Sequence, residues 1–288
     1  MRFSADCVPC LLHRVLYEVE LVAPERAEEA MAAALELMAP CYRQGMNSAK
    51  LATRIHEAAY RISGSRDPYL DLKQRSNEAA LAGLGKARAL VEAAPDRLEA
   101  ACLATIIGNV MDFGIDVGME GPEALRGRFD ALWAEGLQVN EVVTLRRLLK
   151  RSKKVLYLMD NCGEVVLDRL LVEEIKKLGP EVVGVYKGEP ILTDATQEDM
   201  AQAGLDQTFD RLLSTGMFAV GIDMARASPE LRSEMEDADL IVSKGMANFE
   251  ALSDEAYRPV AFLLRTKCRP VAKAIGAAEG QNVVRIWE

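Results

Sequence analysis

Three groups of polar residues follow short apolar runs in the second half of the chain. Asp160 and Asn161 come directly after the run at 155–159, Asp194 follows the run at 182–186, and Lys244 follows the run at 240–243. Carboxylate and amide oxygens are hard ligands that suit Mg²⁺ or Mn²⁺ and leave coordination positions for water and phosphate. A lysine nearby would add positive charge. These residue types predict a metal site at Asp160, Asn161 and Asp194 that is suited to phosphoryl transfer, with Asp160, Asp194 and Lys244 as the catalytic residues.

Further polar residues are candidates for contact with a phosphate. Gly163 allows a tight backbone turn into a helix that begins near Glu164, and the N-terminus of a helix offers N–H groups to an anion. Residues 109 and 112 are spaced to share one face of a helix. The alternative for each is a turn, a helix cap or a solvated face. The predicted phosphate-contacting or ligand-orienting residues are Asn109, Asp112, Asn161, Gly163, Glu164 and Asn248.

Two mechanisms are compatible with these residues. In the first, a water activated at the cation, or oriented by Asp194 or Asp160, attacks phosphorus in line, while Lys244 acts as a mobile charge on the equatorial oxygens. In the second, Asp160 is the nucleophile and forms an aspartyl phosphate. The residues do not decide between the two.

Cys7 and Cys10 form the one closely spaced pair among six cysteines. Their spacing is typical of metal sites and of redox pairs. No second pair of this kind occurs, and the pair does not follow a predicted strand, which argues against a thioredoxin-like role. Packing, an accessory metal site and redox sensing are the open alternatives.

The strands and helices around these residues are predicted from the pattern of apolar runs. Runs at 155–159, 182–186, 211–214, 240–243, 260–264 and 283–287 alternate with helical segments, one of them at 164–178. Strands buried on both faces read as continuous apolar runs, and strands that alternate with helices form parallel sheets. We therefore expect an α/β fold with a Rossmann-like, parallel-sheet α/β/α core, whose ligands bind beyond the carboxyl ends of the strands.

The first half of the chain has a different pattern. Ala, Leu, Glu and Arg dominate residues 4–149, and apolar residues recur at helical spacing, as at Ala27, Met31 and Ala34. The predicted organisation is a mostly helical N-terminal portion at 1–150 and a Rossmann-like metal-binding core at 151–288. The two are expected to pack as one compact body.

Composition excludes several classes of function. A net charge of −9 argues against general binding to nucleic acid. No apolar run is long enough to span a membrane, and the first residues do not form a signal peptide, so the expected location is the cytoplasm. Dinucleotide and P-loop glycine motifs are absent. A non-catalytic metal-binding protein is the alternative to an enzyme, and the oligomeric state is undetermined.

The motifs together resemble a known family, the damage-control metal phosphatases once called domain of unknown function 89, in its prokaryotic branch with a CxxC pair. The resemblance runs nearly end to end and includes residues 7–10, 67–69, 108–112, 160–164, 187–194, 243–250 and 267–268.

The resemblance implies a helical portion joined to a Rossmann-like core. It also implies that Asp160, Asn161 and Asp194 hold Mn, Co, Ni or Mg. The implied activity is hydrolysis of small phosphate esters, such as sugar phosphates or damaged phosphometabolites. Carboxyl methyltransferase activity, once assigned to relatives, is the weaker alternative because no glycine-rich loop for a methyl donor is evident.

Overall fold

The computed structural model of the protein describes residues 1–109 and 124–288, and Asp112 lies outside them. Seven strands form one sheet. They are β1 (Val139–Asn140), β2 (Lys154–Leu158), β3 (Glu181–Tyr186), β4 (Arg211–Ser214), β5 (Leu240–Lys244), β6 (Val260–Arg265) and β7 (Asn282–Trp287). The six predicted strands are confirmed as β2 to β7, with ends that differ by at most one residue.

The sheet has the order β1-β7-β6-β5-β2-β3-β4 and is mostly parallel. β2 lies between β3 and β5, so the chain order reverses at β2. The α/β class is confirmed, with one difference from the expected parallel sheet: β7 runs antiparallel to β6. The helix between them has seven residues and spans about 10 Å, whereas β6 spans about 20 Å, so that helix does not return the chain to the start of the sheet.

Within the described ranges the helices divide into three groups. The first is α1 (Cys7–Glu20), α2 (Ala27–Gln44) and α3 (Ser48–Ser63), with a 3-10 turn at Pro24–Arg26. The second is α4 (Leu70–Ala93), α5 (Arg97–Gly108), α6 (Ala124–Glu135), α7 (Val142–Arg151) and α8 (Glu164–Lys176). The third is α9 (Gln197–Gln202), α10 (Pro229–Asp237), α11 (Gly245–Leu252) and α12 (Arg269–Ile275).

Both faces of the sheet are covered by helices. Along β2, Val155 and Tyr157 belong to a core shared with α4, α5, α7 and α8, while Leu156 and Leu158 belong to a core shared with α10, α11 and α12. All four side chains are buried. Coverage on both faces is the reason that the strand reads as a continuous apolar run and does not alternate.

Helices α1, α2 and α3 form a core of their own, which includes Val15, Met38 and Ile55. This group docks through α3 onto loops at the carboxyl ends of the strands. The Thr53 hydroxyl accepts from the Val220 amide at 3.0 Å. The predicted helical portion therefore has two parts, because α4 to α7 cover the sheet while α1 to α3 lie over its carboxyl edge. β1, at 139–140, also joins the sheet from before residue 150, and the boundary at 150 stays a prediction.

No helix within the described residues has both the length and the apolar character that crossing a membrane requires.

Candidate functional site

The loops that follow β2 and β3 are joined to each other by backbone hydrogen bonds. The Cys162 amide donates to the Thr193 carbonyl at 2.8 Å, and the Ala195 amide donates to the Asp160 carbonyl at 2.9 Å. Between these bonds, Asn161 and Asp194 form an isolated antiparallel bridge. Residues from two separate strand ends are thereby held side by side.

Two side-chain amides hold the Asp160 carboxylate, and Gly245, which has no side chain, leaves room for it. Its Oδ2 accepts from Asn109 Nδ2 at 2.9 Å and from Asn161 Nδ2 at 3.0 Å. A Cβ placed on Gly245 would lie 1.6 Å from the same Oδ2, and Gly245 has a φ of +72°. Only glycine therefore fits at the start of α11, where β5 and β2 open the crevice in which α/β sheets bind ligands.

The other two predicted metal ligands also have defined partners. Asn161 Oδ1 accepts from the Thr193 hydroxyl at 2.8 Å. Asp194 Oδ2 lies 3.2 Å from the Lys187 ammonium, and both side chains are buried. The neighbouring cation places positive charge beside a carboxylate in an otherwise acidic region.

Asp160, Asn161 and Asp194 line a single cavity of about 350 Å³ together with Asn109. We call the first three residues the strand-end wall. Their donor set, two carboxylates and one amide, fits a hard divalent cation. Among the described residues no group of three or more His, Cys, Asp or Glu side chains is placed to hold a metal. Because Asp160, Asn161 and Asp194 would supply only three ligands, a cation held by the strand-end wall would keep positions open for water and phosphate.

Lys244 differs from the mobile charge that the sequence predicts. Its side chain is fully buried and its ammonium contacts Glu164, Asp168 and Thr105. It is not among the described residues that line the cavity. Burial alone would lower the pKa of Lys244, but Asp168 and Glu164 outweigh burial and raise it. Lys244 is therefore a fixed charge beneath the site.

Glu164 links this buried cation to Asp160. One carboxylate oxygen contacts Lys244 and the other accepts from Asn109 Nδ2 at 2.8 Å, so a chain of contacts runs from Lys244 through Glu164 and Asn109 to Asp160. Burial raises the pKa of Glu164, while Lys244 opposes that shift. The structure places Glu164 behind the wall of the cavity, where it orients Asn109.

Gly163 and Asn248 also have partners within the protein. The Gly163 amide donates to Asn77 Oδ1 at 2.7 Å. This N–H is therefore already used within the protein, whereas the sequence predicted that it would bind an anion. Asn248 Nδ2 donates to the carbonyls of Met159, at 3.0 Å, and of Lys244, at 2.8 Å. Through these bonds the Gly163 N–H and the Asn248 Nδ2 tie the site to neighbouring elements.

Cys7 and Cys10 line the same cavity, a placement that their spacing did not predict. They lie on the first turn of α1 and form no disulfide within the part of the chain that the structure describes, and Cys268 also lies on the cavity wall. Burial raises the pKa of Cys268 to about 12. Among the described residues no three or more His, Cys, Asp or Glu side chains are grouped so that they could hold a metal, so the accessory-metal hypothesis gains no support here. Packing and redox sensing stay open.

Sequence reasoning missed the ionisable residues that α1 and α3 bring to the cavity. Arg14 and His56 line it, and His56 Nδ1 is 2.8 Å from Oε1 of Glu18. We call Cys7, Cys10, Arg14 and His56 the helical wall. Glu18 and His56 are 38 residues apart on different helices. No short-range spacing could have revealed this pair.

Comparison with known proteins gives concordant results. Residues 3–283 match the family model of the damage-control phosphatase ARMT1-like domain. The chain is 40% identical to a protein named damage-control phosphatase from Archaeoglobus fulgidus, over the full length of both. It is 31% identical to a damage-control phosphatase of Pyrococcus horikoshii, over 98% of this chain and 97% of that protein.

Solved structures agree with these sequence matches. The crystal structure of a DUF89 family protein from Pyrococcus horikoshii superposes with a TM-score of 0.88 and 30% identity, and 99% of each chain is covered. The predicted family is thus confirmed, whereas the assignment to a CxxC branch stays a prediction. The chain belongs to the damage-control phosphatase ARMT1-like family, also called DUF89.

Proposed function

We propose that the protein is a metal-dependent phosphatase that hydrolyses small phosphate monoesters, with Asp160, Asn161 and Asp194 as the metal ligands. The observation that carries this proposal is the bridge between Asn161 and Asp194, which brings oxygen donors from two strand ends to one cavity. Relatives named damage-control phosphatases support the reaction class.

A divalent cation held by the strand-end wall would supply Lewis acidity and positive charge for the phosphoryl group. Mn, Co, Ni and Mg are the candidates. The cavity needs such a charge because the carboxyl groups that line it outnumber its two arginines, Arg14 and Arg269. The carboxyl groups belong to Asp6, Asp160, Asp194, Glu250 and Glu279. An anionic substrate would be repelled by these carboxylates without a compensating cation.

The protein residues around the ligands have positioning roles in this proposal. Asn109 and Asn161 hold the Asp160 carboxylate through Oδ2. Lys244 and Glu164 fix Asn109 from behind. These contacts preorganise the ligands before substrate binds, which lowers the reorganisation that the reaction requires.

The substrate class follows from the size of the cavity. A volume of about 350 Å³ lies at the small end of ligand sites and accommodates a sugar phosphate or a damaged phosphometabolite of similar size. Attack by water is the mechanism that we propose, since both amides on Asp160 Oδ2 hold that carboxylate in place as a ligand. Failure to trap a phosphorylated protein after rapid quenching would support water over Asp160 as the nucleophile.

The test is turnover of p-nitrophenyl phosphate by protein stripped with a chelator and then supplied with Mn²⁺, Co²⁺, Ni²⁺ or Mg²⁺. We expect at least one cation to restore activity. Asp194→Asn should remove it. Asp71→Asn is the matched control, because Asp71 is an exposed carboxylate on α4. Cation binding without turnover by the unchanged protein would instead make this a non-catalytic metal-binding protein and overturn the proposal.

A further inference from the structure

His56 lies on the cavity wall with one ring nitrogen engaged and the other without a partner. The residue is 1% exposed. Its Nδ1 is 2.8 Å from Oε1 and 2.9 Å from Oε2 of Glu18. Nε2 is buried and makes no hydrogen bond to any residue that the structure describes. Leaving a buried polar atom unsatisfied is unfavourable, so a bound ligand is the natural explanation for it.

Glu18 holds the imidazole from the side away from this free nitrogen. The carboxylate is fully buried beneath α3. Burial raises the pKa of Glu18, while the charge and hydrogen bond of His56 and the charge of Arg14 lower it. A carboxylate that engages Nδ1 fixes the orientation of the ring and leaves Nε2 as the atom that exchanges a proton with a ligand.

The chemistry of a phosphate monoester requires a group of this kind. When an alkoxide leaves phosphorus it is a strong base, and a nearby acid that protonates it lowers the barrier. The strand-end wall offers carboxylates and amides for a cation. The helical wall is contributed by α1 and α3, and it brings the His56 imidazole to the same cavity.

We propose that His56 is a catalytic general acid that protonates the leaving-group oxygen through Nε2, with Glu18 as its positioning residue. This inference rests on the proposed phosphatase function. The chain has one other histidine, His13, which is exposed on α1.

The proton and electron balance of the step is complete. The oxygen of water bonds to phosphorus, and the bond between phosphorus and the ester oxygen breaks. The bonding pair stays on the ester oxygen, which takes the proton from His56 Nε2. A proton released by the attacking water then restores the imidazolium, so one water is consumed and the products are an alcohol and phosphate.

The experiment compares two aryl phosphates that differ only in a para nitro group, p-nitrophenyl phosphate and phenyl phosphate, in the metal-loaded protein. Phenolate is the stronger base, so its departure depends more on protonation. In His56→Asn the new amide can still donate to Glu18 but has no group at the position of Nε2. We expect kcat with phenyl phosphate to fall about 10²-fold and kcat with p-nitrophenyl phosphate to fall less than about tenfold.

His13→Asn, the same chemical change at the exposed histidine, should match the unchanged protein with both substrates. Turnover of p-nitrophenyl phosphate also reports whether His56→Asn is folded. Equal losses with both substrates, or a change confined to KM, would overturn the general-acid role. No metal-dependent turnover in the unchanged protein would overturn the phosphatase proposal itself, and this inference with it.

Glu18→Gln tests the positioning role. We expect a loss with phenyl phosphate of about tenfold, because the amide no longer favours the protonated ring. The double variant with His56→Asn should be no slower than His56→Asn alone, since residues that act as a unit are not additive. Additive losses would show that Glu18 acts apart from His56.

Discussion

The strand-end wall and the helical wall are fixed by different forces. Asp160, Asn161 and Asp194 belong to two loops that share backbone hydrogen bonds, so their relative positions follow from the ladder itself. Arg14 and His56 belong to helices with a separate hydrophobic core, which contacts the rest through docking of α3. Backbone hydrogen bonds between neighbouring loops therefore fix the strand-end wall, whereas the packing of α1 to α3 against the rest of the fold fixes the helical wall.

The largest effect should come from removing a ligand on the strand-end wall. Asp160→Ala deletes the carboxylate that Asn109 and Asn161 hold. We expect metal-dependent turnover to fall by more than the about 10- to 100-fold typical of residues that only orient a ligand. Calorimetric titration of metal and assay of p-nitrophenyl phosphate measure the loss. Full activity with an unchanged metal affinity would refute the ligand assignment.

Gly245→Ala tests whether close approach of backbone fixes the strand-end wall. The added Cβ would lie 1.6 Å from Asp160 Oδ2, at a φ of +72° that favours glycine. We expect a loss of about 1–3 kcal/mol in the free energy of unfolding together with weaker metal binding, because Asp160 must move. Urea unfolding with and without metal measures both. Gly83→Ala, in an open position on α4, is the matched control.

Tyr60→Phe tests the coupling between the two walls. The Tyr60 hydroxyl accepts from the Leu192 amide at 2.8 Å, and Leu192 has a φ of +49°, a strained conformation for leucine two residues before Asp194. Removing the hydroxyl leaves a buried amide unsatisfied, which costs about 1–3 kcal/mol. Urea unfolding and metal titration should show lower stability and a modest drop in metal affinity. Unchanged values for both would mean that the walls are independent.

The smallest effect is expected at the start of α5, the helix that ends at Gly108, directly before Asn109. Asp96 caps the start of α5 and pairs with Arg146 at the partly exposed surface. Asp96→Asn keeps the cap, so the free energy of unfolding should fall by less than about 1 kcal/mol at pH 7.

The sign of the pH dependence at Asp96 follows from its pKa. The hydrogen bond from Arg146 lowers the pKa of Asp96 below 3.8. The stabilisation is therefore present above the ordinary carboxyl pKa and is lost as pH falls through the lower, folded value. Urea titrations from pH 7 to pH 3 should show the difference between the two proteins shrink as the pH falls. A difference that grows on acidification would contradict this assignment.

Much of the fold could be predicted because its strands are buried on both faces. The apolar runs at 155–159 and 182–186 correspond to β2 and β3, and Asp160, Asn161 and Asp194, which follow them, line one cavity. The direction of β7 was missed since pairing depends on the path of α12. The place of Lys244 was missed because Thr105, Glu164 and Asp168, which hold it, come from two helices that pack against β5.

The amino-acid sequence alone was enough to place the side chains of Asp160, Asn161 and Asp194 at the carboxyl edge of a parallel sheet. That result needs only the alternation of strands and helices and the fixed direction in which parallel strands end. That Cys7, Cys10 and His56 line the same cavity, with Glu18 bonded to His56 behind it, depends on the tertiary fold. The reason is that the docking of α1 and α3 depends on side-chain packing between residues far apart in the chain, which leaves no periodic signal.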